Sequence, residues 1–140
     1  MRAYFDTSAL VPLLIDEPGT AVAGTAWDDA DRVVSVRLAQ VEARAALAQA
    51  ERLGRISPTQ HRRSAADLER LLDQVEIVDV DEQLVRVAGG LAERHALRAY
   101  DAVHLGAALA VSDQRFVFVA GDRTLLAAAT AEGLATAETA

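Results

Sequence analysis

"RVVSVRLAQVEARAALAQAERL", residues 32–53, joins two structural periods end to end. Residues 32–36 are short and β-branched, as a buried strand would be, while residues 37–53 are alanine-rich and repeat apolar side chains at Leu38, Val41, Ala45 and Ala48, as a helix would. Gly54 supplies the stop. The same alternation continues on both sides. Upstream, "RAYFD" at 2–6 reads as a strand, and Pro18-Gly19 marks a turn between two short helical pieces, the first interrupted by Pro12. Downstream, "SPTQ" offers Ser57 as N-cap, Pro58 at the first helical position and Gln60 closing a capping box for a helix to about residue 74. "VEIVDV" at 75–80 is a third strand, and Asp81 caps a helix through about Arg94, in which Gly89-Gly90 suggests close packing. A helix over about 100–112, the strand "RFVFVA" at 115–120, a helix over about 123–132 and a weak fifth strand near 135–138 complete the pattern.

Strands separated by helices require right-handed crossovers. The expected architecture is therefore α/β: a three-layer sandwich with a central, mostly parallel four- to five-stranded sheet and helices on both faces, in one domain spanning residues 1–140.

Composition narrows the function. The chain is 51% hydrophobic, enough for a substantial core, but no apolar run approaches the roughly 20 residues that cross a bilayer. The N-terminus lacks the zones of a signal peptide, so the expected location is the cytoplasm, with no membrane partner. Cysteine is absent, which excludes disulfides and thiolate metal sites, and no histidine pair has HExxH spacing. All 14 basic residues are arginine, so a Walker A lysine and a Schiff base are excluded. The net charge of −7 argues against holding nucleic acid by general electrostatic attraction. Any nucleic-acid role has to be local, with cations between acids and phosphates.

In parallel α/β folds ligands gather outside the carboxyl ends of the strands. Asp6 directly follows the first strand and Asp122 follows the fourth by two residues. Glu42 shares or borders the apolar stripe of its helix, and Asp101 lies in the first turn of an apolar one. Each alone has a plain explanation: Asp6, Asp101 and Asp122 suit helix N-termini, and Glu42 suits a half-exposed position. Together they are harder to dismiss, because crowded carboxylates raise one another's pKa and a hard dication relieves that repulsion. Oxygen-only ligands suit Mg²⁺ or Mn²⁺.

At these residues the sequence resembles the PIN-domain nucleases, in particular the VapC-type toxin ribonucleases of bacterial toxin–antitoxin pairs. The likeness runs through "YFDTSAL", "DEPG", "LAQVEARAAL", "LRAYDAVHLGAAL" and "VFVAGDRTLL", in order and over essentially the whole chain. The resemblance implies a PIN-like fold with a metal site of Asp6, Glu42, Asp101 and Asp122, Mg²⁺- or Mn²⁺-dependent endonucleolytic cleavage of RNA, and inhibition by a cognate antitoxin. Two positions depart from the family pattern: Ala120 stands where Ser or Thr is common, and Pro12 where a longer polar side chain is common.

Within that frame Thr7 and Ser8 are either second-layer hydrogen-bond donors to the acids or simple helix-cap residues. His104, three residues after Asp101, is either a proton donor or phosphate contact, or a hydrogen-bonded half-buried histidine. Arg123, Arg37 and Arg98 are candidates for a substrate phosphate or ordinary solvated arginines. Trp27 and "ALVPLLI" read mainly as core, with any apolar excess in the first helices available to a homodimer seam or an antitoxin groove. A receiver domain or a haloacid-dehalogenase-type phosphatase would need an acidic pair or acid-x-acid motif and a lysine, all missing, and no GxGxxG follows a strand. A stand-alone PIN nuclease and a non-catalytic protein-binding module on the same fold remain the alternatives.

Overall fold

The computed structural model describes residues 1–140. Its strands are β1 (Arg2–Phe5), β2 (Arg32–Val36), β3 (Val75–Val78), β4 (Phe116–Ala120) and β5 (Ala135–Glu138). They form one sheet in the order β3-β2-β1-β4-β5, with every neighbouring pair parallel. The helices are α1 (Thr7–Leu10), α2 (Thr20–Asp29), α3 (Leu38–Arg52), α4 (Pro58–Leu72), α5 (Glu82–His95), α6 (Ala99–Val111) and α7 (Arg123–Ala131). The weak fifth strand is real, and Pro12 sits in a 3-10 turn, Val11–Leu13, where its missing N–H costs nothing.

Side-chain alternation sends residues of each central strand to opposite faces. Tyr4, Val34 and Phe118 pack on one side with Leu84, Leu91, Leu105 and Leu125 of α5, α6 and α7. Ala3, Phe5, Val33 and Val119 pack on the other with Ala9, Leu10, Ala39 and Trp27. A further cluster joins Val11 and Ile15 to Ala43, Leu47 and Leu68 between α3 and α4. Burial on both faces is why the strands read as nearly continuous apolar runs.

Three local expectations need correction. The buried stripe of α3 is Ala39, Ala43, Leu47 and Ala50, whereas Val41 is 61% exposed and Ala45 is exposed as well. Alanine is too weakly apolar to mark a face, and small side chains are what let α3 approach its neighbours closely. Gly89 and Gly90 are exposed, with no heavy atom within 4 Å of an added Cβ. The close-packed glycine is Gly106 on α6, where a Cβ would lie 3.0 Å from Leu84 Cδ1 and 3.7 Å from Leu91 Cδ1. The segment Leu10–Ile15 is mostly buried, so it leaves little apolar surplus.

Candidate active site

Because all the strands run the same way, β1, β2 and β4 end on one edge of the sheet, with β1 between the other two. Asp6 follows β1, Glu42 lies one turn into the helix after β2, and Asp122 follows β4. Asp101 and His104 arrive on α6, which packs over β2.

Asp6 caps α1 and is 4% exposed. Its Oδ1 accepts from Ser8 Oγ at 2.6 Å and from the Ala9 amide at 3.1 Å. Ser8 Oγ in turn accepts from the Gly121 amide at 2.8 Å, which ties the start of α1 to the end of β4. Ala120 brings no hydroxyl to that strand end, and Ser8 supplies one from just beyond the neighbouring strand β1. A Cβ at Gly121 would fall 3.1 Å from Thr139 Oγ1 and 3.5 Å from Ser8 Oγ, so a side chain there would crowd this link. Burial pushes the Asp6 pKa up to about 6, with the Asp101 charge adding to the rise and His104, Ser8 and Ala9 opposing it.

Glu42 is held from two directions. Its Oε1 accepts from Thr7 Oγ1 at 2.9 Å and meets His104 Nε2 at 2.7 Å. Partial burial works to raise its pKa, but the hydrogen bonds to His104 and Thr7 outweigh it and leave the group below the ordinary glutamate value. His104 is 1% exposed, and its Nδ1 lies 2.8 Å from the Tyr4 hydroxyl. Such burial makes it a partner of Glu42 rather than a contact for substrate.

Asp101 and Asp122 are linked by one guanidinium. Arg98 Nε donates to Asp101 Oδ2 at 3.2 Å and a terminal nitrogen to Asp122 Oδ2 at 3.5 Å, on a side chain 81% exposed. Asp122 also caps α7 through Oδ1, which accepts from the Leu125 amide at 3.1 Å. The capping roles and the shared edge are therefore compatible: one oxygen caps while the other remains available. Arg123 and Arg37 pair elsewhere, with Glu138 and Asp79 at 2.8 Å each. Asp6 Oδ2, Glu42 Oε2 and Asp101 Oδ1 have no protein donor. As the side chains stand, no three acids or histidines are close enough together to hold a metal ion between them.

The four acids singled out in the sequence thus share one edge, joined by Ser8, Thr7, His104 and Arg98. Tyr4 escaped notice. Its signal was indirect: a tyrosine destined for the core needs a partner for its hydroxyl, and so does a histidine on an apolar helix.

The model of the PIN domain matches residues 3–131. The chain belongs to the PIN-domain family. Among PIN relatives, Ribonuclease VapC45 of Mycobacterium tuberculosis is 42% identical over 130 residues, covering 93% of this chain and 90% of that one. Solved PIN folds agree. The M. tuberculosis VapC20 structure, described as a sarcin-ricin loop cleaving toxin, superposes with a TM-score of 0.69 at 20% identity, covering 94% of this chain and 95% of the other. A toxin–antitoxin complex from Klebsiella pneumoniae gives 0.59 at 17% identity, with 86% of each chain covered. At such identities these two establish the PIN architecture alone.

Proposed function

We propose that this protein, as one PIN domain over residues 1–140, is a cytoplasmic, Mg²⁺- or Mn²⁺-dependent endoribonuclease and the toxin of a toxin–antitoxin pair. The observation that carries the metal site is the way the carboxylates are held. Asp6 and Glu42 each have one oxygen saturated by two protein donors and the other left without one. An all-oxygen donor set of this kind suits a hard dication. Asp6, Glu42, Asp101 and Asp122 would hold it, and Arg98 already supplies positive charge to two of them. When bound, the ion lowers the pKa of water and offsets the charge of the phosphodiester.

The chain's own residues do the rest. Asp6 and Asp101 hold charge at the sheet edge, Ser8 and Thr7 fix the acids' orientation, and Glu42 Oε2, free of protein donors, is a further ligand oxygen. Arg98, exposed at the surface, is free to exchange the acids for a substrate phosphate. The ribonuclease name of the relative supports RNA as substrate. Surface apolar side chains give an antitoxin and a second copy material to bind: Val22, Val41 and Leu53 on one layer, Val80, Val85 and Val87 on the other. No helix is long and apolar enough to cross a membrane.

The test is incubation of purified protein with total RNA and Mg²⁺ or Mn²⁺, with chelator and Asp6→Ala controls. Cleavage is expected only with metal and only from the unaltered protein. Cleavage that survives the chelator would overturn the mechanism.

A further inference from the structure

Glu42 is oriented by a partner that is itself oriented. The imidazole of His104 touches Glu42 Oε1 through Nε2 at 2.7 Å and the Tyr4 hydroxyl through Nδ1 at 2.8 Å. Tyr4 lies on β1 at the centre of the sheet, fully buried, stacked on Phe118 with ring centroids 5.2 Å apart and 4° between planes. Its ring meets His104 edge-on at 5.9 Å and 81°. A neutral imidazole carries one N–H. If the phenol donates to Nδ1, that proton is confined to Nε2, where it faces the carboxylate. A phenol keeps its proton at neutral pH and is able to donate it. Thr7 Oγ1, 3.3 Å from Nε2, directs its own proton to the same Glu42 oxygen.

We propose that Tyr4 and His104 are positioning residues: the hydroxyl fixes the imidazole tautomer, the imidazole fixes Glu42 Oε1, and Oε2 is thereby presented to the dication. This rests on the reading of Glu42 as part of the metal site. It differs from simple satisfaction of two buried polar groups in what substitutions at residue 104 should do. A glutamine amide nitrogen can reach the place of Nε2 and still donate to Glu42. An asparagine amide reaches only the place of Nδ1, which satisfies Tyr4 and abandons Glu42.

The experiment is calorimetric titration of chelator-treated protein with Mn²⁺, alongside thermal melts and kcat and KM on RNA. His104→Asn should weaken Mn²⁺ binding about 10- to 100-fold, the usual size of second-layer effects. His104→Gln should retain more affinity than His104→Asn even where their melting temperatures match. Tyr4→Phe, which keeps the stacking on Phe118, should weaken binding several-fold and lower kcat with little change in KM. In a Glu42→Gln background, His104→Asn should add no further loss. Equal affinities for the Asn and Gln variants, or wild-type affinity for Tyr4→Phe, would overturn the positioning role; the latter decides the matter should the residue-104 variants fail to fold. Wild-type affinity in Glu42→Gln alone would instead reject the reading of Glu42 on which the proposal stands.

Discussion

Asp6 caps a helix with one oxygen and carries charge into a nearly dry site with the other, and its raised pKa reflects the conflict. A carboxyl raised from 3.8 to about 6 binds its proton more tightly in the folded chain than in the unfolded one. The metal-free protein should therefore lose stability as pH climbs from about 4 to about 6 and stay at the lower level above that. Two units correspond to at most about 3 kcal/mol. Asp6→Asn keeps an acceptor for Ser8 and Ala9 while removing the charge. In urea melts with chelator it is expected to be about 1–3 kcal/mol more stable than the parent at pH 7, with no gain at pH 4. An equal gain at both pH values would show that ionisation is not the cause. Arg98 poses the complementary case. Its exposed ion pairs are worth about 0–1 kcal/mol, so Arg98→Ala should barely move the melting temperature. It should nevertheless tighten Mn²⁺ binding in the same titration, because the guanidinium and a dication compete for the oxygens of Asp101 and Asp122.

Helix α5 offers a test in which neighbours play no part. Gly89 and Gly90 lie in its interior with open space where a Cβ would go, so Gly→Ala at either should stabilise by about 0.5–1 kcal/mol through backbone entropy. Gly106→Ala should not, since Leu84 Cδ1 stands 3.0 Å from the new methyl and would have to move. Chemical denaturation of the three variants separates the two outcomes. The contrast also shows where sequence reading works. Ser57, Pro58 and Gln60 announced α4 because a capping box is complete within four neighbouring residues, and both of its reciprocal hydrogen bonds form. The strands were legible for the same local reason. The inward face of α3 and the tight contact at Gly106 were not, because they depend on which other element arrives opposite, and an alanine-rich helix carries too little amphipathic contrast to say.

At the scale of the molecule, the acids were legible because a parallel sheet gathers strand ends on one edge, a rule that needs only strand positions. The Tyr4–His104 contact was not, because it joins side chains separated by 100 residues, and no pattern along the chain announces it. The same long reach governs assembly. β1 is the middle strand, flanked by β2 on one side and by β4 on the other, so half of its pairing waits for residues 116–119. A fragment ending at residue 111 should accordingly show no cooperative unfolding by circular dichroism; a sharp transition would mean that β1 and β2 suffice to organise the domain. For a chain emerging from the ribosome with its N-terminus first, the centre of the sheet is made early and completed late. The edge that gathers Asp6, Glu42, Asp101 and Asp122 is likewise incomplete until β4 and the start of α7 have been made, so the site arrives only with the nearly finished chain.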